Sequence, residues 1–72
     1  MNIYINLSMA TKNEIEHYFD CQMMSIANNA PNMGERIVAS QRTLGFYLGV
    51  CQLRYFKVNE QLLQSWDTIF IK

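Results

Sequence analysis

Between Asn2 and Leu7 polar and apolar residues alternate, which puts Ile3, Ile5 and Leu7 on one face in the manner of a half-buried strand. From residue 12 the period changes. Ile15, Phe19, Met23 and Ile26 recur at threes and fours, flanked by Tyr18 and Ala30, while Glu14, Glu16 and Asp20 point elsewhere. Thr11 followed three residues later by Glu14 has the form of a capping box, so the pattern predicts an amphipathic helix over 12–29. "NNAPN", 28–32, ends it, because Asn tolerates the left-handed C-terminal conformation and Pro31 steers Ala30 out of the helical region. Asn32 and Glu35 then start a second helix at about Met33. It runs to about Phe56, with Arg54 and Lys57 suited to the negative end of its dipole. Strand is the competing reading there, since Tyr47, Gly49, Cys51, Leu53 and Tyr55 also alternate. Asn59 caps a shorter third helix carrying Leu62, Leu63 and Trp66, with Val58 placed to staple onto Leu63. The tail "TIFIK", 68–72, fits an extension of that helix or a strand beside residues 2–7. The expected fold is mainly α: a single small domain over 1–72 made of a capped helical hairpin and a short third helix. A small two-stranded element from the termini is an optional addition.

The second helix has an unusual pattern. On a helical wheel Ile37, Leu44, Leu48, Cys51, Tyr55 and Val58 form one apolar seam, and Val38, Ala39, Phe46, Val50, Leu53 and Phe56 gather on nearly the opposite side. Arg36, Thr43 and Arg54 mark one polar edge between them, Gln41 and Gln52 the other. A surface helix normally carries one apolar stripe, so both faces call for a cover. Either the first helix covers one face while the termini and third helix cover the other, or a second chain covers what is left. Gly45 and Gly49 lie at the edge of the second face, where they would let a second backbone approach closely.

Composition narrows the function. Seventy-two residues with 50% hydrophobic content suffice for one small core and leave little net stability, which favours self-association. A net charge of zero with 17% charged residues argues against binding by bulk charge. No apolar run approaches the roughly 18 residues a membrane span needs, and the N-terminal residues lack the features of a secretory leader. The chain is therefore expected to be a soluble, cytoplasmic protein, with Cys21 and Cys51 as small apolar residues rather than a disulfide.

Little in the sequence points to chemistry. His17 and Cys21 are adjacent on the far side of the first helix with Met24 next along, but zinc needs three or four ligands. No nucleophile signature or glycine-rich phosphate loop is present, and Glu14, Glu16 and Asp20 read as a solvated face. No catalytic, cofactor-binding or metal-binding residue is therefore assigned, and an enzyme is not expected.

The expected function is a non-catalytic protein–protein interaction module: a small accessory or inhibitor protein of a bacterium, phage or plasmid that modulates a larger machine. A protein partner is expected, homodimerisation as well, through Arg36, Arg42, Phe46, Val50, Leu53, Arg54 and Lys57. The alternative is a dimeric nucleic-acid-binding regulator using the basic edge formed by Arg36, Arg42, Arg54 and Lys57.

Overall fold

The computed structural model describes residues 7–70, in which three α-helices follow one another: α1 Lys12–Asn29, α2 Met33–Arg54 and α3 Glu60–Phe70. Each helix starts on the cap its sequence announces. The Glu14 N–H donates to Thr11 Oγ1 at 3.1 Å and the Thr11 N–H donates back to Glu14 Oε1 at 2.8 Å, completing the capping box. These bonds from Thr11 hold the Glu14 carboxyl below its usual range. Asn32 accepts from the Glu35 N–H at 2.9 Å, and Asn59 accepts from the Leu62 N–H at 3.2 Å. Ala30, ahead of Pro31, is extended and ends α1.

The end of α2 departs slightly from expectation. The helix stops at Arg54, and Tyr55 adopts the left-handed conformation with φ 57° and ψ 36°. The Phe56 N–H reaches Cys51 O at 2.9 Å and the Tyr55 N–H reaches Gln52 O at 3.3 Å, which is a Schellman closure. Residues 44–54 are therefore helical rather than a strand, and the backbone is also helical through Phe70, so the start of the "TIFIK" tail extends α3. The strand expected over 2–7 lies outside the described residues except for Leu7, which sits at a turn.

The three helices all touch one another, and α1 buries the stripe its periodicity marks: Ile15, Phe19 and Met23 are buried, Ile26 and Tyr18 half-buried. At the centre stands Tyr47 of α2, fully buried. Its ring meets Phe19 of α1 edge-on at 5.5 Å between centroids and Trp66 of α3 at 5.3 Å, the T-shaped arrangement aromatic pairs favour. Both polar aromatic groups in this stack are bonded. Tyr47 Oη accepts from the Asn59 N–H at 3.1 Å, and the Trp66 indole N–H donates to Asp20 Oδ1 at 2.9 Å. A core of three aromatic rings, one from each helix, thus positions everything outside it.

The side of α2 that turns inward is neither of the two seams drawn on the wheel. Ser40, Tyr47 and Cys51 are buried, with Arg36, Thr43, Leu44, Val50 and Arg54 half-buried around them. The physical reason is that two arginines assigned to a polar edge lie along the packed side, each with a guanidinium nitrogen on a main-chain carbonyl at its border, although Arg36 Nε is left buried and unpaired. Arg36 donates to Ala27 O at 2.8 Å, and Arg54 donates to Leu7 O and lies 4.8 Å from the centre of the Phe56 ring. The small Ser40 keeps its hydroxyl on Ile37 O at 2.9 Å. Burying this arc splits the first seam, leaving Ile37, Leu48 and Tyr55 exposed, and turns Val38, Phe46 and Leu53 of the second seam outward. Of the two coverings open to α2, the described residues cover this inward arc and leave Val38, Phe46 and Leu53 exposed.

Candidate protein-interaction surface

The surface left by this packing is the outer side of α2. Val38 is 56% exposed, Phe46 64% and Leu53 80%, and with Arg42, Gly45 and Gly49 they occupy an arc of about 100° at 100° per residue, nearly opposite Tyr47. Toward the helix N-terminus the same side bears a shallow open depression lined by Gly34, Glu35, Val38, Ala39 and Arg42. All five residues belong to α2, so the groove is a feature of the helix surface and not a cavity between elements.

Two of the three glycines belong to this face, Gly45 at its edge and Gly49 within it. In a helix interior each disfavours the helix by about 1 kcal/mol relative to Ala, a cost usually offset by a close contact that a Cβ would block. Here a Cβ at Gly45 or at Gly49 would meet nothing within 4 Å. Among the described residues nothing packs against either glycine. The opposite holds at Tyr55, where a left-handed backbone favours Gly and the chain has a bulky residue, 95% exposed.

The residues singled out from the sequence divide into two groups. Phe46, Leu53 and Arg42 lie together on the bare face, with Lys57 exposed beyond the end of α2. Val50 is half-buried against the core, and Arg36 and Arg54 are turned about a quarter of the helix circumference away from Phe46 and Leu53. Each of those arginines has its guanidinium on a main-chain carbonyl of its own chain. Val38 belongs to the bare face as well; its place in the second seam was the signal, since it shares that seam with Phe46 and Leu53.

Titratable groups elsewhere form no comparable constellation. His17 Nε2 lies 3.5 Å from Cys21 Sγ on the exposed side of α1, and among the described residues no three of His, Cys, Asp or Glu stand close enough to hold a metal ion. Cys21 is exposed, Cys51 buried, and both are free. Burial pushes the Tyr47 hydroxyl up to about 12, the Asn59 N–H opposing that shift, so it is a structural hydrogen-bond acceptor and not an acid at neutral pH. Among the described residues no helix is long and apolar enough to cross a membrane.

The chain matches no protein-family model, no curated protein and no solved structure.

Proposed function

We propose that this chain is a non-catalytic protein–protein interaction module, a small accessory or inhibitor protein that docks on a larger protein through the outer face of α2. The observation that carries the reading is the run of Val38, Phe46 and Leu53, three large apolar side chains that stand mostly in water outside the core cluster of the described residues. Monomers seldom leave such a helical face open, and a hydrophobic centre with an arginine is the composition of a contact surface. Arg42 stands among the apolar residues of the face, and Lys57 lies beyond the end of α2. Origin in a bacterium, phage or plasmid and action on a host machine belong to this proposal as its most specific part, and rest on small size alone.

A nucleic-acid regulator has thinner support. Of the four cations it draws on, Arg36 and Arg54 are engaged with Ala27 O and Leu7 O, which leaves Arg42 and Lys57 to meet phosphates. Duplex binding measured over a salt series separates the two: affinity falling steeply with salt would favour the regulator.

The direct test is capture by the tagged chain set beside a Phe46→Glu/Leu53→Glu variant, with binding of each captured protein then measured in purified form. Loss of binding in the variant is expected. A partner held equally well by both forms would show that this face is not the contact.

A further inference from the structure

The outer side of α1 carries three soft donors in a row. At 100° per residue, positions 17, 21 and 24 fall within an arc of about 60°, on the side away from the buried Ile15, Phe19 and Met23. The His17 imidazole, the Cys21 thiol and the Met24 thioether therefore share one face, and all three residues are exposed. Free cysteine is among the most buried residue types, so packing gives no account of Cys21 standing in water with a histidine one turn before it and a methionine one turn after.

The first two donors stand at ligand spacing. Cys21 Sγ is 3.5 Å from His17 Nε2. A metal ion bonded to a thiolate at about 2.3 Å and to an imidazole nitrogen at about 2.0–2.1 Å holds those two atoms roughly 3.6 Å apart across a tetrahedral angle. An ion can thus replace the hydrogen between them with little movement of either side chain. Met24 is three residues beyond Cys21 and hence its neighbour on the helix surface. Long side chains of a helix lean back toward its N-terminus, which brings the Met24 thioether toward Cys21, and its unbranched chain adapts to the reach required.

The oxygen donors nearby are engaged. Glu14 accepts from the Thr11 N–H at 2.8 Å, Asp20 accepts from the Trp66 indole N–H at 2.9 Å, and Glu16 lies 3.7 Å from Lys12 Nζ. Lys12 is the only Lys or Arg of α1, set against those three carboxylates, so the helix attracts a cation while the donors free to bind it are one nitrogen and two sulfurs.

We propose that His17, Cys21 and Met24 bind copper(I). Thiolate and thioether sulfur select a soft ion, and three ligands suffice for a closed-shell monovalent one; zinc takes a fourth ligand and gains little from a thioether. Binding exchanges the thiol proton for the ion: the S–H bond breaks, the proton leaves to water, and the sulfur donates the electron pair it keeps to copper, which stays copper(I). Thiolate and ion cancel in charge. The site shares no residue with the outer face of α2 and does not depend on the reading of that face.

Reduced full-length chain titrated without oxygen against the coloured bicinchoninate complex of copper(I) tests this. The chain should withdraw one equivalent, and hold it more tightly as pH rises, because each ion displaces a proton. Cys21→Ser should abolish the withdrawal, and His17→Gln and Met24→Leu should each weaken binding at least about tenfold. The three replaced side chains are exposed, so the variants keep the fold. Silver(I), a soft ion that undergoes no redox change here, should shift the Met24 methyl signal in NMR spectra and leave those of Met9 and Met33 in place. No copper(I) taken from the indicator, binding retained in Cys21→Ser, affinity unchanged in His17→Gln or in Met24→Leu, or zinc held as tightly as copper(I) would each overturn the proposal. The Phe46→Glu/Leu53→Glu variant should bind copper(I) like the wild type, which keeps loss of partner capture and loss of the ion separate results.

Discussion

The Trp66 indole N–H donates to Asp20 Oδ1 at 2.9 Å, joining α3 to α1 across 46 positions of sequence. Both groups are removed from water, Trp66 fully and Asp20 in part. A partly buried hydrogen bond to a carboxylate contributes on the order of 1.5–3 kcal/mol, and deleting the acceptor leaves the indole N–H unpaired. Asp20→Ala should therefore lower the melting temperature by roughly 10 °C in a chain this short, while Asp20→Asn, which keeps an acceptor, should lose much less. Trp66 is the only tryptophan, so its fluorescence follows this contact directly. Equal melting temperatures for the wild type and Asp20→Ala would show that the bond is not stabilising.

Tyr47 gives the fold an alkaline limit. Its hydroxyl, at 10.0 in the open chain, is raised to about 12 by burial in the folded chain. The folded state thus holds the proton more tightly, so this stabilisation is complete below pH 10, declines as pH rises, and is gone above about pH 12. Its size is at most about 3 kcal/mol. Tyr47→Phe should flatten this part of the stability–pH curve. The same variant should be less stable at neutral pH by about 1–3 kcal/mol, because the Asn59 N–H loses its acceptor. Denaturant titrations at pH 7, 10 and 11 of both forms test the two signs together; parallel curves would refute the assignment to Tyr47.

Glycine and non-glycine positions in α2 are inverted relative to what the single chain needs. Tyr55→Gly should stabilise the fold by about 1 kcal/mol by relieving the left-handed backbone at the end of the helix. Gly45→Ala and Gly49→Ala should each add about 0.5–1 kcal/mol, since the helix gains propensity and the new methyl meets no neighbour. Urea midpoints at low micromolar concentration check all three. A destabilising Gly49→Ala in a monomeric sample would mean that the backbone there is more crowded than it stands in the structure.

The core and the bare face should respond differently to comparable substitutions. Phe46→Glu and Leu53→Glu alter residues 64% and 80% exposed, and should change the folding free energy of the dilute chain by less than about 0.5 kcal/mol. Phe19→Ala empties a site in the aromatic stack and should cost about 3–5 kcal/mol, most or all of the stability of a domain this small. Circular dichroism melts distinguish the two groups. Unfolding caused by Phe46→Glu at low concentration would show that its ring supports the fold.

Local chemistry was the most legible part of the sequence. Thr11 with Glu14, Asn32 with Glu35, and Asn59 each mark a helix start, because a cap is a bond between residues two or three apart and needs no knowledge of the rest of the chain. The buried stripe of α1 was equally readable, since Ile15, Phe19, Met23 and Ile26 recur at threes and fours while Glu14 and Glu16 lie off that side. The left-handed close of α2 at Tyr55 had no glycine to announce it. Within the candidate surface, Phe46, Leu53 and Arg42 were identifiable from the second apolar seam, whereas the inward turn of Arg36 and Arg54 was not.

The sequence by itself determined where each helix begins, which stripe of α1 is buried, and that α2 has more apolar surface than one face can hide. Only the tertiary structure decided which arc of α2 turns inward. A helical wheel sorts residues by class, but packing in three dimensions depends on the size of Tyr47, on rings arriving from α1 and α3, and on carbonyls at Ala27 and Leu7 placed to receive two arginines. Those partners lie far away along the chain, and only the fold brings them to α2.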